Sequence, residues 1–228
     1  MATVQDIFDE AREIIHDTNA ASYRWADAEL IDYLNAGLRQ TVVLVPEANT
    51  IETVEDTGTS RIARQALPAG GIKFIRASRN YADDGTTPQG TIRYVEKDTL
   101  DTFDPDWEYN TAAVDGENFF LHFCHDKREP TYFYLYPPPV ADNKRVAVVY
   151  SANPTAVTVV GDTVPLPDEY INALVEYVIY RALTKESRQT LPTAFRQELW
   201  QNYLLALGLQ RQARDNIGPG ENRPPSAE

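Results

Sequence analysis

The sequence predicts an α+β fold: a discontinuous four-helix bundle built from the N- and C-terminal segments, with an inserted antiparallel β domain and an extended C-terminal tail. Three observations predict it. Apolar residues recur at helical spacing near both ends of the chain, the period drops to two between about residues 50 and 164, and from Asn216 onward Ile217 is almost the only apolar side chain. The expected boundaries are 1–48 for the first helix pair, 49–165 for the β domain, 166–215 for the second helix pair and 216–228 for a flexible arm. The two ends are joined because each helix pair presents an apolar stripe that needs a facing partner.

The first helix opens at Thr3, with Asp6 three residues on, close to the pattern of a capping box. Val4, Ile7, Phe8, Ala11, Ile14 and Ile15 form its stripe, Asp6, Asp9, Glu10 and Glu13 face away, and it stops near Asp17 to Asn19. The second helix starts around Trp25 to Asp27, with Asp27 or a neighbour as its cap and Glu29 at the positive end. Leu30/Ile31, Leu34, Leu38, Thr41/Val42 and Val45 form its stripe, and Pro46 ends it. Asn35 falls on that apolar face, so a polar partner must meet it. Runs 72–77, 91–96, 118–124, 131–136 and 145–151 read as strands, with 125–130 as a polar hairpin connection. After Pro165 and Pro167 the helical period returns, with Asp168 as an N-terminal acid and Ile171, Leu174, Val175, Val178 and Ala182 in register. Arg181 lies on that stripe too. Pro192 suits the first turn of the last helix, which carries Phe195, Leu199, Tyr203, Ala206, Leu207 and Ala213.

Composition narrows the function. A 228-residue chain that is 43% hydrophobic folds rather than staying disordered. Its single cysteine, Cys124, forms no internal disulfide. With 21 Lys+Arg against 34 Asp+Glu the formal net charge is −13, which argues against gripping nucleic acid by phosphate neutralisation. The same charge leaves open a protein past which nucleic acid must move without sticking. No apolar run reaches the roughly 18 residues of a membrane span, and no basic segment precedes an apolar block at the N-terminus. The protein is therefore expected to be soluble, without membrane partners, and to work where it is made or in a particle assembled there.

Three clusters offer chemistry. His122, Cys124 and His125 are zinc-ligand types, but on a strand His125 faces away from the other two and a fourth ligand is missing nearby. Asp98, Asp101, Asp104, Asp106 and Glu108 form an acidic run without the spacing or central glycine of a calcium loop, which reads as a solvated loop between strands. The aromatic strand from Tyr132 to Tyr136 can stack on sugars or bases, or simply fill a half-buried pleat. No nucleophile elbow, phosphate-binding glycine loop or zinc-protease motif is present. No catalytic residue, metal ligand or cofactor is expected.

Two segments together resemble a known family. Trp25-Ala-Asp-Ala-Glu-Leu30, Tyr33-Leu-Asn-Ala-Gly-Leu38 and Val45-Pro46 resemble the second helix of bacteriophage head-to-tail adaptor proteins, the head-completion or tail tubular proteins. Leu166-Pro-Asp-Glu-Tyr170, Ala173-Leu174, Tyr177 and Tyr180-Arg-Ala182 resemble the third helix of the same family. The resemblance implies a non-enzymatic virion protein of the neck, assembled in the host cytoplasm. Such adaptors form a ring, typically dodecameric, beneath the portal, contact a tail tube, nozzle or fibres below, and let DNA pass through the lumen without sequence-specific binding. It further implies a portal-docking arm that includes Asn216, Ile217, Gly218, Pro219, Arg223 and Pro224. It suggests that Asn35 and Arg181 meet across the bundle, with Asp32 or Glu29 as a further partner of Arg181. Trp107, Tyr132, Tyr134 and Tyr136 are the candidate tail or subunit interface, with Trp25 and Trp200 as further anchors, core positions being the alternative for all of them. Two other readings remain: a carbohydrate-binding module using Trp107 and the tyrosines, and a glycosidase-like or metal-dependent enzyme using Asp104 or Asp106.

Overall fold

A computed structural model describes residues 2–57, 62–109, 119–139, 144–186 and 192–217, with side chains of the last helix described through Gly208. It is mixed α+β. In chain order the first elements are α1 (Val4–Ile14), α2 (Asp27–Leu44), β1 (Thr50–Asp56), β2 (Arg64–Ala66), β3 (Gly71–Tyr81), β4 (Pro88–Thr91), β5 (Arg93–Tyr94) and α3 (Lys97–Phe103). They are followed by β6 (His122–Cys124), β7 (Tyr132–Tyr136), β8 (Arg145–Ala152), α4 (Ile171–Glu186) and α5 (Thr193–Ile217). The chain divides into a helical unit, Met1–Ala48 with Pro154–Glu228, and a β unit, Asn49–Asn153.

In the helical unit α1 starts as its sequence demands. Thr3 Oγ1 accepts from the Asp6 N–H and Asp6 Oδ2 accepts from the Thr3 N–H, a reciprocal capping box. The N–H groups of Val4 and Gln5, which no helix can satisfy internally, donate to the carbonyls of Asp162 and Val160. The segment from Pro154 to Pro165 therefore goes with the helices, not with the β domain to which the 49–165 boundary assigned it. At the other end of α1, His16 adopts φ 58° in the left-handed region while the Asp17 N–H donates back to the Arg12 carbonyl. Glycine reaches that conformation without a Cβ penalty, so His16→Gly is expected to stabilise the unit by about 0.5–1 kcal/mol, read as a higher urea midpoint.

The apolar stripes hold with two changes. Val4, Ile7, Phe8 and Ala11 are buried, but Ile14 is exposed and Arg12 is buried in its place. α2 begins at Asp27 behind Ala26, whose side chain caps nothing, so neither Asp27 nor a polar neighbour serves as the expected cap. α4 packs against α1, α2 and α5. It is accordingly buried nearly all round, at Ala173, Leu174, Val175, Tyr177, Val178, Ile179 and Ala182, as a helix with neighbours on several sides must be.

The β unit holds two four-stranded sheets, ordered β1-β8-β3-β4 and β2-β7-β6-β5. All pairs are antiparallel except β5 with β6. Phe74, Ala77, Val146, Val148 and Tyr150 from the first sheet share one apolar cluster with Phe123, Phe133 and Leu135 from the second. The other face of the second sheet carries Cys124 and Tyr134, which pack with Leu100 of α3, Trp107 and Ala63. The unit is thus layered: sheet, sheet, then α3. The expected solvated loop over residues 98–108 is corrected by this helix, whose Leu100 is buried and whose chain returns Trp107 to the same cluster. β1 and β2 were not legible as strands, because edge positions leave most of their residues exposed and blur the alternation. Likewise 91–96 is not one strand: it breaks at Ile92, which enters the core.

β3 departs from period two. Its register against β8 shifts between Gly71 and Lys73, between Phe74 and Arg76, and between Ala77 and Arg79. Each shift adds one residue to β3, so burial recurs every third residue, at Phe74, Ala77 and Asn80. Lys73, Arg76 and Arg79 recur with the same spacing and are exposed.

Candidate assembly site

The two helical motif segments meet. A Cβ at Gly37 in α2 would lie 2.8 Å from Cδ1 of Tyr177 in α4, so only glycine lets the helices approach this closely. Gly37→Val is expected to cost about 2–3 kcal/mol through overpacking, measured by chemical unfolding. Tyr177 stands in a cluster with Tyr180, Trp200 and Tyr203, with ring centroids 5.1–6.5 Å apart. The Tyr203 hydroxyl lies 3.1 Å from Thr41 Oγ1 of α2, and burial pushes it up to about 12. Trp25 is buried in the helical unit and Trp200 is half-buried, so both sit in packing.

Arg12 anchors the connection between α1 and α2. Its guanidinium donates to Asp17 Oδ2 at 2.7 Å, to Asp27 Oδ1 at 2.7 Å and to the Trp25 carbonyl at 3.0 Å, and it lies 3.6 Å from the Tyr23 ring centroid. Asp17 in turn accepts from the N–H groups of Arg24 and Trp25. The Asp27 of the first motif is thus a partner for a cation that sequence inspection passed over. Nothing in the spacing marks Arg12, because it sits beside the apolar stripe, as any polar helix residue can.

The expected Asn35–Arg181 contact is not made. Asn35 instead grips one backbone unit: its Nδ2 donates to the Val157 carbonyl and its Oδ1 accepts from the Val157 N–H, both at 2.9 Å. That exchange satisfies a polar side chain on an apolar face, as burial requires. Arg181 is exposed, with its guanidinium 5.4 Å from the Tyr33 ring centroid. Glu29 pairs with Lys185, not with Arg181, and also accepts from the Tyr33 hydroxyl. Burial and the Glu29 bond push Tyr33 up to about 12. Between α4 and α5, Tyr180, Thr184, Thr193, Arg196, Gln197 and Trp200 line an open groove of about 880 Å³.

The helical-unit carboxylates that lie below their ordinary values of 3.8 for Asp and 4.5 for Glu include Asp6, Asp162 and Glu29. Thr3 lowers Asp6 through its N–H and hydroxyl, the N–H groups of Thr158 and Val159 lower Asp162, and Lys185 followed by Tyr33 lowers Glu29. Each is a stronger acid folded than unfolded, so its contribution is complete above the ordinary value and disappears as pH falls through the lowered one. Urea midpoints are expected to hold near neutrality and to fall below about pH 4.5, with Thr3→Ala flattening part of that slope.

In the β unit the predicted interface residues divide. Trp107 is 1% exposed, donates from Nε1 to Asp101 at 2.7 Å, and meets the rings of Tyr134 and Tyr136 edge-on. Tyr134 is also buried, while Tyr132 and Tyr136 are half-buried. Arg64 lies 3.8 Å from the Tyr132 ring centroid. Trp107 and Tyr134 are therefore core residues and offer no open platform for a sugar or another chain. Burial of Cys124 pushes its thiol up to about 12, far from thiolate chemistry. His125 is held below its ordinary value by burial, then by Lys127 and Lys73. Among the described residues, no group of three or more His, Cys, Asp or Glu could hold a metal ion, and no helix is long and apolar enough to cross a membrane.

Of the predicted arm, Asn216 and Ile217 continue the backbone of α5, while Gly218, Pro219, Arg223 and Pro224 lie outside the described residues. What the geometry offers is packing and paired charge within a helical unit closed from both ends of the chain, and a layered β unit inserted between those ends in sequence. The family model described as SU10 adaptor protein matches residues 2–224, and the chain belongs to that family of phage adaptors. Among curated proteins, none matches the chain.

Proposed function

We propose that this chain is a structural virion protein that forms a ring beneath the portal, links the portal to the tail and lines the channel through which DNA passes. The observation that carries the reading is the family match, which spans both motif segments and the β unit between them. On this reading the four long helices act as one clamped block. Arg12, Asn35 and the Gly37–Tyr177 approach hold it together. The β unit faces tail components, a tube, nozzle or fibre protein, and residues 216–228 reach the portal. The ring is a dodecamer in the neck of the virion, assembled in the host cytoplasm. No step of this role needs turnover. The formal charge of −13 per chain supports passage of DNA without retention, since like charge lowers its residence on the lumen wall.

An electron micrograph of the protein mixed with purified portal rings tests the proposal. A coaxial ring beneath the portal is the expected image; a compact monomer without portal affinity overturns it.

A further inference from the structure

We infer that the β unit is self-complementary: the basic β3 face of one subunit receives the acidic α3 end of a second copy. This assignment rests on the ring reading and names the surfaces that would close the ring.

The register defines the two faces. Phe74 pairs with Tyr150 and Ala77 with Val148, and these rungs point into the apolar cluster shared by the two sheets. Lys73, Arg76 and Arg79 pair with Ser151, Val149 and Ala147, the alternating rungs, so they belong to the opposite face of the first sheet. Three successive bulges put a cation on every one of those rungs, two β8 residues or about 7 Å apart. All three are exposed, and none makes an ion pair among the described residues. Glu52 of β1 lies on the same rung as Arg76, across Val149, and accepts from Ser78 Oγ at 2.7 Å, so the row holds three cations to one carboxylate and is net cationic in a chain of net charge −13.

The complement lies at the other end of the layers. α3 covers the far face of the second sheet through Leu100 and Trp107. Asp98 of α3 and Asp106 of the turn that follows it are exposed and make no ion pair among the described residues, and Phe103 at the end of α3 is 82% exposed. A large aromatic so exposed, in one nine-residue stretch with two unpaired carboxylates, has the composition of an interface anchor with a charged rim. Basic and acidic surfaces on opposite sides of one layered unit cannot neutralise each other within a subunit. Between copies they give a heterologous, head-to-tail contact, the geometry that builds rings. A second copy is favoured over DNA as the occupant because both complementary halves are present on this chain.

Charge reversal of the full chain, read by mass photometry alone and with portal rings, tests the inference. Arg76→Glu/Arg79→Glu and Asp98→Lys/Asp106→Lys are each expected to weaken association at least tenfold, with circular dichroism and melting midpoint unchanged. An equimolar mixture of the two variants should associate again, because each supplies the charge the other lost. The milder Arg76→Ser/Arg79→Ser pair should weaken association severalfold and serves if a reversal fails to fold. Wild-type-like assembly of either reversed variant overturns the inference, as does a mixture that stays dissociated. Arg76→Glu/Arg79→Glu rings that form normally but lose retained double-stranded DNA would assign the row to nucleic acid and also overturn it. A wild-type chain that never assembles, with or without portal, overturns the ring reading itself and the inference with it.

Discussion

Arg12→Ala is expected to destabilise the helical unit by about 3–5 kcal/mol, the cost of removing one partner from a buried charge cluster. The guanidinium is 3% exposed and Asp17 6%, so their contact is shielded from solvent. Truncation leaves Asp17 buried with only the N–H groups of Arg24 and Trp25 as donors, and it frees the Trp25 carbonyl. It also releases the connection that carries the chain from α1 to α2. Arg12→Lys should recover little, because one ammonium group cannot span Asp17, Asp27 and a carbonyl as the planar fork does. Asp27→Ala should cost under about 1 kcal/mol, since that carboxylate is 53% exposed. Urea unfolding with hydrogen exchange at α1 and α2 amides separates these cases. A loss below about 1 kcal/mol for Arg12→Ala would show that the cluster contributes nothing net.

Trp107→Ala should destabilise the β unit by about 3–5 kcal/mol, the range for deleting a fully buried large aromatic. Its ring fills the space between α3 and the second sheet, and its N–H holds Asp101. Lys97 lies 5.0 Å from the Trp107 ring centroid and 4.8 Å from that of Tyr134, and it pairs with Glu108, so the cavity would also unseat an ion pair. Trp107→Phe should lose less, because it keeps most of the ring. The readout is decisive about role: an exposed docking anchor would leave the melting midpoint unchanged and weaken only partner binding, whereas a core residue lowers the midpoint first. An alanine variant with a wild-type midpoint would refute the core assignment.

These two residues mark the limits of periodicity. Arg12 stands on a helix whose apolar spacing was legible, yet its partners come from the following connection, up to Asp27, and no local pattern encodes them. Asn35 was recognisable as a polar group that needed a partner, but the segment that supplies it, around Val157, looked like the end of the β domain. Trp107 lies among aspartates, where exposure is the natural expectation, and only its packing on Leu100 and Tyr134 makes it core. α3 is too short for its apolar positions to show a period, and β1 and β2 are edge strands with mostly exposed residues. In β3 the bulges turned the alternation into a three-residue repeat, so the face bearing Lys73, Arg76 and Arg79 could not be assigned from strand parity.

The sequence by itself determined the α+β class, the four long helices, the Thr3–Asp6 cap and the family, because these rest on local periodicity, capping chemistry and motif residues within one helix. Tertiary structure alone decided which polar side chains are buried, that residues 154–165 go with the helices, that Lys73, Arg76 and Arg79 lie on the face of the first sheet away from the shared core, and that α3 covers the far face of the second. The physical reason is range. Helix and strand propensity act over a few residues, whereas burial of Arg12, capping of Val157 by Asn35 and the layering of two sheets depend on groups distant in the chain that meet only when the core has formed.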